Sequence, residues 1–256
     1  MKELKLNKKL KVLKMIDKTD NHGVKVERLF DMSFRLLLVG KSGVGKSNLL
    51  GNIMLNEKFK YKNLFEGDRI FIFAPSVMAD EKLKTIVEEM DIPNGNIFNE
   101  YSDELLLNVY DLLIEDFKDR MEDKEKIFPF LFIIDDFAFS GKFASRFNAL
   151  AKVFCNSRKF SGNVICLSQT YTQVAKNIRN QATGMIIFNT NNKELNTIEE
   201  ENNFLEDKKT FMKMFRENVK EKHDFFVINY SNKHSEMYLD KNFDVISMNP
   251  NIKNVE

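Results

Sequence analysis

An apolar run, Phe34-Arg35-Leu36-Leu37-Leu38-Val39, passes without interruption into Gly40-Lys41-Ser42-Gly43-Val44-Gly45-Lys46-Ser47. Apolar residues at helical spacing follow: Leu49, Leu50, Ile53 and Met54. Few folds accept this order. A buried strand has to end where glycines let the chain curl, so that successive backbone N–H groups converge on one concavity. The helix that follows then turns its positive end toward the same point. The pattern is a complete P-loop, and the concavity is built for the phosphates of a nucleotide. Gly40, Lys41, Ser42, Gly43, Val44, Gly45, Lys46, Ser47 and Asn48 are its expected lining. Lys46 is placed to reach the β and γ phosphates, and Ser47 to offer a hydroxyl to Mg²⁺.

The rest of the chain supports an α/β reading. Short runs rich in Ile, Val and Phe alternate with longer helical patterns, as in a parallel sheet. Strands are expected at 34–39, 69–74, 130–134, 164–167, 185–188 and 225–230, with a short one near Ile97-Phe98 and a strand or loop near 236–246. Helical spacing marks 80–90, 103–120, 145–158, 193–204 and 207–220. In open parallel sheets the ligand lies beyond the carboxyl ends of the strands. Polar residues fall at those ends here: the glycine-rich loop, Asp135-Asp136 and Ser168-Gln169.

Four apolar residues followed by an acidic pair, Leu131–Ile134 and then Asp135-Asp136, form a Walker B arrangement. Asp135 is expected to orient the Mg²⁺ shell directly or through water. Asp136 is placed to polarise an attacking water. Many ATPases have Glu there, and the shorter Asp requires the water closer to the strand or the loop further forward. Gln169 would face the γ-phosphate between the two motifs, as a neutral amide that leaves the Mg²⁺ charge intact. A further strand between the P-loop and Walker B segments points to the additional-strand, catalytic-glutamate-type (RecA-like) branch of P-loop NTPases.

Composition narrows the partners. The 256 residues are 43 % hydrophobic and 30 % charged, with a net charge of +1, so no global basic field announces a nucleic-acid binder. A local ring of cations would suffice for a channel. Lys2, Lys5, Lys8, Lys9, Lys11 and Lys14 against Glu3 make the first residues basic. No apolar h-region follows them, and no apolar run reaches the roughly eighteen residues of a membrane span, so no membrane partner is expected. Cys155 and Cys166 sit among apolar neighbours and read as buried free thiols. His22, His223 and His234 lack metal-ligand spacing and read as surface or structural. Three units are expected: a basic extension over 1–30, a P-loop ATPase domain over 31–235, and a C-terminal strand or tail over 236–256.

The segments GKSGVGKSNLL (40–50), FLFIIDDF (130–137), NSRKFSGNVICLSQTY (156–171) and NIRNQATGMIIF (177–188) resemble the viral genome-packaging ATPases of the FtsK–HerA superfamily, particularly the poxvirus-type packaging ATPases. The likeness covers roughly residues 33–230. It implies ATP and Mg²⁺ as cofactors, and a pentameric or hexameric ring that moves double-stranded DNA into a preformed capsid. It also implies a capsid or portal partner, and a location in host cytoplasm or at the viral assembly site, with association with the virion.

Such rings complete each site with a neighbour's arginine. Arg179 and Arg158 rank first for that role, ahead of Arg146. Phosphate contacts to DNA are expected from Lys142 and Arg146 in the loop after Walker B, and from Lys176 in the loop over 171–180. Two other functions stay open. A cellular translocase or helicase of the same superfamily would normally add a membrane anchor, barrel or winged-helix domain, and the compact chain favours the viral motor. A nucleotide-dependent switch or small-molecule kinase would need a base-specifying Asn-Lys-x-Asp, which Asn192-Lys193-Glu194 does not complete, or an arginine-rich lid.

Overall fold

Strand β1 (Arg35–Val39) has four buried residues of five, because helices cover the sheet on both faces and leave its centre no solvent side. The computed structural model describes residues 29–59, 61–75, 77–135, 149–205 and 207–246. Seven further strands join β1: β2 (Ile70–Phe73), β3 (Ile97–Phe98), β4 (Phe130–Asp135), β5 (Gly162–Ser168), β6 (Gly184–Phe188), β7 (Phe225–Asn229) and β8 (Tyr238–Leu239). Their order across the sheet is β3-β2-β4-β5-β1-β6-β7-β8. Strands β3 to β6 run parallel. The last two are antiparallel to their neighbours.

Alternation along β1 sorts side chains between two cores. Leu37 and Val39 pack on one face with Leu106 and Tyr110 of α3 (Asp103–Asp123) and with Leu150 and Phe154 of α4 (Ala149–Asn156). Leu36 and Leu38 pack on the other with Leu50 and Ile53 of α1 (Lys46–Leu55), and with Leu83 and Ile86 of α2 (Glu81–Glu89). A period of two in each strand therefore meets a helical stripe on either side. A short helix, α5 (Lys176–Arg179), precedes β6, and α6 (Asn192–Asn202) and α7 (Lys208–Asn218) follow it. At the edge away from the P-loop, the fully buried Asn163 ties three strands together. Its Oδ1 accepts from Phe34 N at 3.0 Å, while its Nδ2 donates to Phe130 O and Ser161 O at 3.2 Å each.

Several expectations are modified. The helix over 145–158 is described as α4 only from Ala149, and it gives way at Ser157 to a 3-10 turn ending at Phe160. Residues 136–148 lie outside the described residues. Cys166 is a buried free thiol, its pKa pushed up to about 12 by burial and by the charge of Asp135. Cys155 is exposed, because the buried stripe of α4 is Leu150, Ala151, Val153 and Phe154. The expected unit boundaries are crossed by packing. Leu29 and Phe30 are buried, and Tyr238-Leu239 pairs with β7 inside the same sheet. Among the described residues no helix is long and apolar enough to cross a membrane.

Candidate nucleotide site

The P-loop leaves β1 beside the end of β5, where Gly40 N donates to Ser168 O at 3.0 Å. Glycine is required at Gly40 by packing: a Cβ there would lie 2.7 Å from Phe188 Cβ and 2.9 Å from Val44 Cγ2. At Gly45 it is required by backbone, since φ is 111°, in the left-handed region. Helices α2, α3, α6 and α7 begin with a side-chain cap from Asp80, Ser102, Asn191 and Asp207. Helix α1 begins at Gly45 with no side-chain cap and no acidic residue in its first turn. Its first N–H groups and the positive end of its dipole are therefore directed into the loop. Lys46 arches back over the loop, with Nζ donating to Gly40 O at 2.6 Å and Lys41 O at 3.2 Å.

The loop opens into a cavity of about 860 Å³ lined by Ser42 through Leu49 together with Asp135 and Gln169. Strand register explains that meeting. Strand β5 lies between β1 and β4, with Val39 opposite Ser168 and Leu167 opposite Asp135. Gln169, the next residue, therefore sits between the P-loop and the acid. Gly40 is buried behind the loop, and Lys41 is exposed outside the lining. For Mg²⁺ the donor set fits. Ser47 and Asp135 bring a hydroxyl and one half-buried carboxylate into a common cavity. Mg²⁺ commonly takes one or two carboxylates and completes its shell with phosphate oxygens and water. Among the described residues no group of three or more His, Cys, Asp or Glu forms a denser cation site.

A second wall was not legible as such. Phe188, His223, Phe225, Lys241 and Phe243 line the same cavity, and Phe59 joins them from the segment after α1. His223 Nδ1 lies 2.8 Å from Val44 O. The carbonyl accepts, so Nδ1 carries the proton and the imidazole holds the P-loop from the cavity's second wall. Strand direction brings these residues here. Strand β7 runs antiparallel to β6, with Phe225 opposite Phe188, so its beginning lies at the P-loop edge. Strand β8 reverses again, so the turn after Leu239 returns to that edge. Read singly in sequence, His223 has no ligand spacing and Phe243 stands in a polar segment. Only the reversed strand pair gives them a role.

The arginine candidates lie elsewhere. Arg179 is buried under the segment that follows Gln169, and it is not among the cavity residues. Its Nε and Nη2 donate to Glu201 at 2.9 and 2.8 Å, its Nη1 donates to Val174 O at 2.6 Å, and its guanidinium stacks 4.6 Å from the Tyr171 ring. Burial raises the Glu201 carboxyl, but the bonds from Arg179 and Tyr171 outweigh it and hold it below the usual carboxylate value. Arg158 is exposed on the 3-10 turn leading into β5, toward the opposite end of the sheet from the P-loop. Its charge adds to burial in lowering the pKa of Arg35 at the start of β1. Lys176 is exposed, with Nζ 3.7 Å from Glu201. Asp136, Lys142 and Arg146 lie outside the described residues.

The segment after Gln169 is clamped to α6. Thr172 N and Oγ1 donate to Glu194 at 3.0 and 2.6 Å, and Tyr171 OH donates to Glu201 at 2.8 Å. Asn202 extends the clamp. Its Nδ2 donates to Tyr171 OH at 3.0 Å, its Oδ1 accepts from Tyr230 OH, and its carbonyl accepts from Tyr238 OH at 2.8 Å.

A phosphate cradle on β1, with the acid of β4 set one strand away across β5, makes this a P-loop NTPase of the additional-strand, RecA-like branch. Residues 22–252 match the family model of the poxvirus A32 protein, and the chain belongs to that family. No curated protein sequence matches it. Among solved structures it is similar to the genome-packaging NTPase B204 from Sulfolobus turreted icosahedral virus 2 in complex with ATP-gammaS. That match has 16 % identity over 77 % of this chain and 92 % of that one, with a TM-score of 0.52. A structure of B204 described as the DNA-packaging ATPase from Sulfolobus turreted icosahedral virus gives 15 % identity, 77 % and 93 % coverage, and a TM-score of 0.51. The pCW3 conjugation coupling protein TcpA, in monomer form with ATPgS, gives 13 % identity over 78 % of this chain and 58 % of its own, with a TM-score of 0.53. At these identities the likeness is one of fold.

Proposed function

We propose that this chain is the ATPase of a viral genome-packaging motor, hydrolysing ATP to move double-stranded DNA into a preformed capsid as a ring of subunits. The observation that carries the reading is the convergence of Lys46, Ser47, Asp135 and Gln169 on one cavity, in a chain of the poxvirus A32 family. The likeness in fold to B204, a genome-packaging NTPase and DNA-packaging ATPase, supports the same reading.

In this mechanism the backbone N–H groups of 42–47 and the Lys46 ammonium hold the β and γ phosphates. Asp135 and Ser47 hold Mg²⁺, which supplies positive charge to the phosphate oxygens. Asp136, next after the last residue of β4, orients a water for in-line attack on the γ-phosphorus. The bond to the β–γ bridging oxygen breaks, and the leaving oxygen's charge is met by Lys46. Gln169 reports the loss of the γ-phosphate through the segment clamped to α6. Arg158 of a neighbouring subunit completes the site, and Lys142, Arg146 and Lys176 track DNA phosphates, which need no sequence readout.

The test is ATP hydrolysis with and without duplex DNA, beside Lys46→Ala and Asp136→Asn, with mass measured by light scattering. Stimulation by duplex over single strands, in a multi-subunit species and lost in both variants, is expected. A monomer whose hydrolysis ignores DNA would overturn the motor while leaving the nucleotide site standing.

A further inference from the structure

Gln169 meets the cavity from a bend just past the end of β5, so its amide is only as fixed as the backbone beneath it. That backbone is held from both sides. Ser168 Oγ donates to Thr170 O at 2.8 Å and brackets Gln169 in a small closed loop. The next two residues are bonded to α6. Tyr171 OH donates to Glu201 Oε2 at 2.8 Å and accepts from Asn202 Nδ2 at 3.0 Å, while its buried ring lies on the Arg179 guanidinium. Thr172 gives Glu194 both its N–H, at 3.0 Å, and its hydroxyl, at 2.6 Å. Glu194 and the pair Glu201-Asn202 stand two helical turns apart on one face of α6. Asn202 is tied in turn to the antiparallel end of the sheet by Tyr230 OH and Tyr238 OH. None of these groups lines the nucleotide cavity.

For stability alone, apolar side chains of the same volume would hold this junction as well as buried ions do. A satisfied polar network does something else: it fixes direction as well as distance. Here the network is complete at the two residues next to Gln169. The Tyr171 hydroxyl uses both its donor and its acceptor capacity, and burial raises its pKa, so the donor persists at neutral pH. The Glu194 carboxylate lies in the first turn of α6, where the positive end of the helix favours it. We infer that the Tyr171 hydroxyl and the Thr172–Glu194 bonds are positioning groups for Gln169, holding its amide in register with the γ-phosphate. The inference rests on the assignment of Gln169 to the γ-phosphate. It adds the groups outside the cavity on which that amide depends, and gives α6 a part in the chemical step without any contact with nucleotide.

Steady-state ATP hydrolysis by the full chain with duplex DNA tests it, in Tyr171→Phe, Thr172→Val, Gln169→Ala and the two double variants. Tyr171→Phe removes one oxygen and keeps the ring on Arg179. Thr172→Val acts at an exposed position, where misfolding is not at stake. A misplacement of about 1 Å at a reacting centre costs about a hundredfold in rate. A loosened amide should therefore lower kcat about tenfold in Tyr171→Phe and about threefold in Thr172→Val. KM and the affinity for ATP should stay at their wild-type values in both. On the Gln169→Ala background neither change should lower kcat further, because groups that act through one residue are not additive. Wild-type kcat in both single variants, with only the urea midpoint lowered, would show a purely stabilising network and overturn the inference. A loss carried by KM, or full additivity with Gln169→Ala, would overturn it as well. Failure of the parent reading looks different: wild type itself does not hydrolyse ATP, or Gln169→Ala keeps the wild-type kcat, and the inference falls with it.

Discussion

At the scale of single residues, the site depends on contacts that set the direction of backbone groups. His223 is the clearest case. By donating to Val44 O it ties one P-loop carbonyl to the segment that leads into β7. Such a bond contributes about 1 kcal/mol, or roughly a fivefold change in affinity. We predict that His223→Ala weakens ATP and tripolyphosphate together by about that factor, whereas His223→Gln, whose amide can still donate, recovers part of the loss. Calorimetric titration of both ligands against the two variants measures this; identical behaviour of Ala and Gln would refute the positioning role. The phosphate half of the site was legible because its chemistry is local, with glycines, lysine and serine consecutive in the chain. Asp135 and Gln169 were legible because each follows an apolar run directly. His223 and Phe243 were not, since their place depends on which way β7 and β8 run, and strand direction leaves no mark on a single apolar run.

At the scale of elements, the junction between β5 and α6 concentrates ionisable groups in a nearly dry setting. The side chains of Arg179 and Glu201 are 8 % and 13 % exposed. Removing one partner from such a pair leaves a buried charge uncompensated, at a cost of about 3 kcal/mol. The folded-state pKa of Glu201 is depressed. The pair's contribution is therefore complete above the ordinary glutamate value of about 4.3 and is lost as the pH falls through the lower folded value. Glu201→Gln should be less stable than wild type at neutral pH, and the gap should narrow on acidification below that range. Urea melts from neutral to acidic pH check it, and a gap that held constant would show that the carboxylate's charge is not what stabilises the junction. The same geometry bears on the resemblance to ring ATPases. A guanidinium saturated by Glu201 and Val174 O in its own subunit is a poor donor to a neighbour, which leaves Arg158 the stronger candidate.

At the scale of the whole molecule, Arg158 lies on the turn into β5, toward the opposite end of the sheet from the subunit's own P-loop, so the trans role proposed for it excludes its own subunit's site. Mixing makes this testable. Arg158→Ala and Lys46→Ala subunits should each be inactive alone. Together they should regain part of the ATPase rate, because some interfaces then pair an intact P-loop with an intact Arg158. No recovery on mixing would refute a trans role. The mostly parallel sheet and its two helical layers were expected from the alternation of apolar runs with helical patterns. The antiparallel direction of its last two strands was not, because the run at 225–230 and the strand or loop expected near 236–246 carry no mark of which way they run.

The position of β1 has a consequence in time. It is the first strand among the described residues, yet its partners are β5 and β6, and much of the wall facing its loop comes from residues 223–243. A ribosome adding about 5–20 residues per second emits the P-loop long before anything exists to seat it. Pairings of such sequence separation form late and slowly. Until then the run Leu36–Val39 is an unpaired apolar strand that needs shielding from its own kind. The cavity therefore waits for residues 223–243 rather than arriving with the motif that opens it.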